Sequence, residues 1–464
     1  MANKNRFYAD IMALHPEVTG SSILINISFP NGNRKKVLVD CGLFHEKNYN
    51  ELNKGFPYNP SEIDYVLITH NHVDHTGRLP LLLREYPGKI HMTYGTSKLI
   101  APALYNSASI LSTEAKHLKT KPLYTDLDVS RVISAIEYHN FNETFKLNDD
   151  MNVTFFMNGH LPGAAIILLQ IHYYGYEDIN ILFTGDYNNK NKFFTVEGIP
   201  NWVYSLPLTI IQEATYGTTL TEDIEYVFEK NIINAVKEGK KILIPAFALG
   251  RTQEILYILK LLQDQDLLSK EIPIYLDGKL SRSYTNIFIQ KFEFDNFLPD
   301  NLSFVFDRQM QKDLINSNKC MIIITSSGMG SNGPSRTYIP LLLEQKNVLI
   351  HFVGYQAEGT LGRKILDCHK KDTVEIFGIK RRKLATVKFT SECSSHAPQD
   401  VLLQFLSDFI IKFLVINHGN IETKDIYSDI AIKQLNPKNV AILDRTYAFR
   451  ISPYGFVKSF TTKF

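Results

Sequence analysis

The chain has 464 residues, enough for two or three domains of ordinary size. Its 50 basic and 48 acidic residues leave a net charge of +2, which excludes a uniformly basic nucleic-acid coat and confines any phosphate-binding surface to a local patch. The sequence is 44% hydrophobic with 29 Phe, ample for a core, yet no apolar run approaches the roughly eighteen residues of a membrane span, so none is expected.

Four cysteines, Cys41, Cys320, Cys368 and Cys393, are scattered without a C-x-x-C pair. That usage suits a reducing cytosol and argues against a disulfide framework. The first eight residues lack the apolar run of a signal peptide, so a cytoplasmic location is expected.

In chain order, Ile23–Ile27 and Val37–Asp40 read as strands flanking Asn31-Gly32-Asn33, a hairpin signal. Asp40 closes an apolar strand, where it either caps a turn or holds a ligand histidine from behind. Asp64–Ile68 reads as a short buried strand, and Leu79–Tyr86 as a helix start with Pro80 in its first turn. Between them lies Thr69-His70-Asn71-His72-Val73-Asp74-His75-Thr76-Gly77, which packs three of the fourteen histidines into six residues. Imidazole and carboxylate crowded on one loop suit a borderline metal such as zinc. His70 and His72 can aim at one ion while Asp74 and His75 turn toward a second.

Residues 96–150 read as mainly helical, with His117 and His139 as surface residues. His160 then sits among small residues before the strand Ile166–Gln170. Ile181–Phe183 leads to Gly185-Asp186, and Leu208–Gln212 to Glu213. After the histidine cluster, His160 and Asp186 become the expected next ligands, while Glu213 closes another apolar strand. From about Thr218 the pattern becomes strand, small-residue loop, helix, which signals an α/β sheet with its loops at one edge. Its strands include Lys241–Pro245, Ile274–Leu276, Met321–Ile324 and Val348–Val353. The run Lys380-Arg381-Arg382-Lys383 is read as a solvated loop, with nucleic-acid contact as the alternative. Isolated histidines return at strand ends, at His396 and His418, and a strand pair is expected near Ala441–Leu443 and Ala448–Ile451.

Together these motifs resemble the metallo-β-lactamase superfamily and, within it, the β-CASP nucleases, over nearly the whole chain. Asp40 matches the first motif; His70, His72, Asp74 and His75 match the second; His160 matches the third and Asp186 the fourth. Glu213 matches the acidic motif that opens the β-CASP region, and His396 and His418 its later histidine motifs. Pro245–Arg251, Ser326-Ser327-Gly328-Met329 and Glu358-Gly359-Thr360-Leu361-Gly362-Arg363 match as well. The resemblance is to short bacterial and archaeal forms similar to the endonuclease subunit of the pre-mRNA 3′-end processing complex, without a KH extension or the C-terminal domain of ribonuclease J. Two departures stand out. Pro398 and Asn420 occupy positions where these nucleases usually carry an acid after each histidine motif.

The resemblance implies an α/β protein, a metallo-β-lactamase αββα sandwich interrupted by a β-CASP α/β domain with a mostly parallel sheet. The expected divisions are 1–217, 218–383 for the β-CASP domain, and 384–464 for the sandwich's second part. It implies two zinc ions: His70, His72 and His160 on one, Asp74, His75 and His418 on the other, with Asp186 between them. Asp74 and Asp186 thereby count among the catalytic residues, with His396 as proton donor and Glu213 orienting it, while Asp40 holds a ligand histidine. The β-CASP loops would grip the substrate backbone through Ser326, Ser327, Gly328, Gly359 and Thr360, together with Arg251 and Arg363. Each arginine is also open to a purely structural salt bridge. The implied activity is hydrolysis of RNA phosphodiester bonds, with RNA as partner and no membrane, and a homodimer left open. A DNA nuclease of the Artemis type is the alternative, but that branch typically lacks a histidine matching His418. Small-molecule hydrolases of the superfamily lack the inserted region.

Overall fold

The computed structural model describes residues 7–294, 296–354, 356, 359–369 and 372–462; Glu358 of the Gly-rich motif lies outside them. The chain divides into two compact units, Met1–Thr221 with His396–Phe464, and Glu222–Ser395.

Among the described residues, the first unit is built on two large sheets. One runs in spatial order Gly455–Thr461, Tyr447–Ser452, Tyr8–Ala13, Ile23–Ser28, Arg34–Val39, Tyr65–Leu67, Ile90–Thr93, Ile136–His139. The other runs Val440–Ile442, Ile410–Asn417, Pro207–Glu213, Ile179–Phe183, Ala165–Ile171, Met151–Met157, Thr144–Asn148. Side chains alternate across each strand, so one strand feeds two cores. Ile23, Ile25 and Ile27 join the layer shared by both sheets, while Leu24 points to the outer layer with Leu79, Ile100 and Leu104. Ile167 and Leu169 meet that same central layer, while Ile166 and Leu168 pack outward with Leu402, Leu406 and Tyr427. Burial on both faces explains why these strands read as continuous apolar runs. The result is helix, sheet, sheet, helix.

The expected hairpin forms: Ile23–Ser28 pairs antiparallel with Arg34–Val39, and Gly32 takes φ +89° at the turn. Pro80 sits in the first turn of Leu79–Leu82. The stretch 96–150 is mainly helical, as expected, with helix over Tyr94–Leu118 and Asp126–Ala135; it also contributes the strands Ile136–His139 and Thr144–Asn148 to the two sheets. One expectation is corrected. The last strands do not pair with each other: Val440–Ile442 joins Ile410–Asn417 in one sheet, while Tyr447–Ser452 joins Tyr8–Ala13 in the other.

The second unit has a parallel sheet in the order Leu302–Val305, Ile274–Asp277, Met321–Thr325, Lys241–Pro245, Val348–Phe352, Thr386–Phe389. The last of these strands lies beyond residue 383, where the sequence reading returns to the first domain. Its pairing with Val348–Phe352 keeps it in the second unit, which runs to Ser395. The basic run is mostly a strand, Ile379–Arg382, paired with Thr373–Ile376. Arg381 is tied to Glu344 at 2.7 Å, and Lys383 is buried with its Nζ donating to the carbonyls of Ile365 and Cys368. That favours a structural role for the run.

Candidate metal centre

The loops that carry the histidine motifs leave one end of the sandwich strands. Tyr65–Leu67 ends three residues before His70, Ile179–Phe183 three before Asp186, and Ile410–Asn417 directly before His418. Gly185 takes φ +57° in the turn that presents Asp186, and a Cβ there would meet Thr69 at 3.0 Å. Gly42 lies so close to the Asp74 carbonyl that a side chain would clash with it. Two non-glycine residues beside the site, Asp40 (φ +60°) and His418 (φ +45°), are also left-handed, a conformation costing about 1–3 kcal/mol each and stable only where the surroundings enforce it.

The seven expected ligands converge. His72 Nδ1 lies 3.1 Å from both His70 Nε2 and His160 Nε2. Asp186 Oδ2 faces that trio, 3.5 Å from His70 Nε2 and 3.6 Å from His160 Nε2. His75 Nε2 lies 3.3 Å from His418 Nε2, and Asp74 Oδ2 is 3.9 and 4.0 Å from the two. The second oxygen of Asp186, Oδ1, is 3.3 Å from His75 Nε2 and 3.4 Å from His418 Nδ1. That oxygen is buried, and neither imidazole is aligned to give it a hydrogen bond. Asp186 therefore turns one carboxylate oxygen toward each cluster.

The donor set fits divalent ions. Ligands bound at 2.0–2.1 Å to a tetrahedral ion stand about 3.3 Å apart, close to the 3.1–3.6 Å separations among the histidines and Asp186, while Asp74 stands farther out at 3.9 and 4.0 Å. Burial, with His75 beside it, holds the His70 imidazole well below its ordinary range, and burial lowers His72 too, so both present lone pairs. Burial works against a charged His75, but Asp186 and Asp40 outweigh it and favour a proton there. A divalent ion would supply that positive charge instead.

Neighbouring groups aim the ligands. Asp40 Oδ2 lies 2.8 Å from His75 Nδ1 and also accepts from Thr69 Oγ1, while Oδ1 accepts from the Thr69 amide. Both readings of Asp40 are thus realised at once: it fixes a turn and it orients an imidazole. Thr69 Oγ1 contacts His70 Nδ1 at 3.1 Å, and Thr215 Oγ1 contacts His418 Nδ1 at 3.0 Å. His15, unremarked in the sequence reading, is buried with Nε2 2.9 Å from Asn417 Oδ1, beside His418. Its only sequence signal is a polar residue closing the apolar run from Ile11 to Leu14.

His396 stands next to the cluster without being part of either trio. Its Nδ1 is 3.0 Å from both oxygens of Glu213, and its Nε2 is 3.9 Å from Asp186 Oδ2. Glu213 in turn accepts from the amides of Tyr187 and Thr215. Burial disfavours the imidazolium, but the Glu213 carboxylate outweighs it and raises the His396 pKa to about 9. Each of the two departures stands at the start of a helix. Asn420 caps the helix Ile421–Leu435 by accepting from the Thr423 amide at 2.8 Å, the role an aspartate fills equally well. Pro398 precedes the helix Gln399–Leu406, whose first turn holds Asp400, an acceptor for the Thr221 amide and hydroxyl.

In the second unit, the Ser326–Gly328 and Gly359–Thr360 loops follow the carboxyl ends of parallel strands, the usual ligand-binding edge of such a sheet. Gly362 N donates to Met329 O, which ties the two loops together. Thr360 caps the helix Leu361–Asp367. Ser327 Oγ donates to Asn332 O. Arg251 is buried and pairs with Glu254 at 3.0 Å, and Arg363 pairs with Asp367 at 2.9 Å on an exposed face. Each arginine thus makes the structural salt bridge within its own helix.

Comparison with known families agrees with this geometry. The Metallo-beta-lactamase superfamily model matches residues 15–198, and the Beta-Casp domain model matches residues 252–365. Ribonuclease TTHA0252 of Thermus thermophilus is 30% identical over 416 residues, covering 84% of this chain and 88% of that protein. The chain belongs to the metallo-beta-lactamase superfamily and carries its Beta-Casp domain. Other similar proteins include the RNase J-like protein of Methanocaldococcus jannaschii, 29% identical over 80% of this chain and 83% of that one. The transcription termination factor FttA of Methanosarcina mazei is 30% identical over 71% of this chain, which spans about half of that protein's length (54%). Metallo-beta-lactamase membership makes the chain a metal-dependent hydrolase in type. Among the described residues, no helix is long and apolar enough to cross a membrane.

Proposed function

We propose that this protein is a zinc-dependent ribonuclease that hydrolyses RNA phosphodiester bonds at a two-metal centre. The observation that carries the reading is Asp186, whose two oxygens face two separate ligand trios. His70, His72 and His160 would hold one ion; Asp74, His75 and His418 the other; Asp186 would serve both. When bound, such a pair lowers the pKa of water and neutralises charge on the phosphate. The chain's own residues do the rest. Asp40 and Thr69 keep the His75 and His70 rings aimed. Glu213 fixes the His396 tautomer through Nδ1, which leaves Nε2 to carry a proton at the edge of the cluster. His396 would donate that proton to the leaving 3′ oxygen, and the products would be a 5′-phosphate and a 3′-hydroxyl.

RNA is favoured over DNA by the names of the ribonuclease relatives and by His418 standing in the second trio. In the second unit, the Ser326–Gly328 and Gly359–Thr360 loops offer backbone amides to the RNA phosphates. Exposed Arg363 is the better placed of the two arginines to exchange its carboxylate for a phosphate, because buried Arg251 would have to leave its pocket.

The Asp186 centre should hold two zinc ions, so that elemental analysis after mild dialysis finds at least two per chain. Chelator should remove both the zinc and the RNA cleavage, and added zinc should restore the two together. A content below one per chain that zinc does not restore contradicts the reading.

A further inference from the structure

A second histidine cluster lies on the edge strand of the first sheet and its neighbour. His91 on Ile90–Thr93 is in register with Glu137 on Ile136–His139, so the two side chains share a face. His139 is two residues beyond Glu137 and returns to that face. The side chains meet there: His91 Nδ1 is 3.0 Å from His139 Nε2, and Glu137 Oε1 is 4.0 and 3.9 Å from the two nitrogens. Neither of these last two distances is a hydrogen bond, so the carboxylate closes the triangle without a direct bond to either ring.

The surroundings hold the rings in place. His139 lies flat on Phe145, with centroids 3.4 Å apart and planes at 4°, and His91 stacks on the same ring at 5.6 Å. Both imidazoles are largely covered, whereas half of the Glu137 side chain is exposed. Burial lowers the His91 pKa to about 4 and lowers that of His139, so both rings are neutral near pH 7, the state that ligates metal. Opening the two nitrogens by a few tenths of an ångström would reach the roughly 3.3 Å edge of a tetrahedral site.

We propose that His91, His139 and Glu137 bind one zinc-class divalent ion, distinct from the Asp186 centre, with its remaining position open to solvent beside Glu137. Two imidazoles and one carboxylate select a borderline ion over calcium or magnesium. Ile136–His139 is the sheet's edge strand, and the ion would pin it to its neighbour. The site thus stabilises the fold and takes no part in RNA hydrolysis.

The test compares the full chain with Glu137→Gln and His139→Phe after equilibration in zinc-buffered solution. Phenylalanine preserves the stack on Phe145, and Glu137 is exposed, so both variants should fold. Wild type should bind one more equivalent of zinc than either variant and gain more in Tm on adding zinc, while RNA cleavage is unchanged. The difference is independent of how many ions the Asp186 centre retains. Equal zinc content and equal Tm gain in all three proteins would overturn the proposal.

Discussion

His396→Ala should keep both zinc ions and bind RNA nearly normally, but cleave it at least about a hundredfold more slowly, the usual scale for one positioned acid–base group. The expectation rests on geometry. His396 belongs to neither ligand trio, and its Nδ1 is committed to both oxygens of Glu213. Deleting the ring therefore removes a proton donor and leaves the metal ligands in place. Glu213→Gln should be milder, since an amide loosens the tautomer but spares the imidazole. Activity of His396→Ala should partly recover on substrates with a better leaving group, which needs the proton less. Zinc analysis and single-turnover cleavage on the same preparation check the assignment. Loss of zinc from His396→Ala would make the residue a ligand and sink it.

His418→Ala should abolish cleavage and lower the zinc content by one ion. Replacing partners that merely orient a ligand costs about 10–100-fold, so loss of a ligand should exceed that range. His418 joins the second trio from far along the chain, 343 residues from His75, and Thr215 Oγ1 holds its other nitrogen. Its left-handed backbone adds a complication: alanine tolerates φ +45° poorly, so instability could mimic loss of function. Asparagine adopts that conformation more readily, and His418→Asn should match wild type in metal-free Tm while remaining inactive. Full activity with full zinc in either variant would return His418 to a structural role and weaken the argument for RNA over DNA.

Much of the candidate centre was legible because its residues end apolar strands. An acid or imidazole that closes a buried run needs a reason to be there, and His70, Asp186 and Glu213 have this signature, while His160 stands among small residues at a strand junction. The fold class was legible for a related reason: the alternation of strand, small-residue loop and helix after Thr218 reflects a parallel sheet buried on both faces. Side-chain contacts between distant segments were not legible. His139 looked like a surface residue because its sequence neighbours are polar, yet it lies on Phe145 in an inner layer. Arg251 and Arg363 stood beside Gly-rich loops, open to either phosphate contact or a structural salt bridge, and each meets a carboxylate three or four residues on. His15 gave almost no signal, since its role depends on Asn417, 402 residues away. The domain edge near 384 was hard to place because Thr386–Phe389 has no glycine-rich loop after it and resembles a strand of either unit.

The most direct test of the account is to map cleavage products of end-labelled RNA and of DNA of the same sequence, using zinc-loaded protein with and without chelator. The account predicts that RNA is cut in preference to DNA, with 5′-phosphate and 3′-hydroxyl ends, and that chelator abolishes the cut. Cleavage of DNA as readily as RNA, or RNA products ending in a 2′,3′-cyclic phosphate, would contradict it, the latter because the RNA's own hydroxyl and not water would then be the nucleophile.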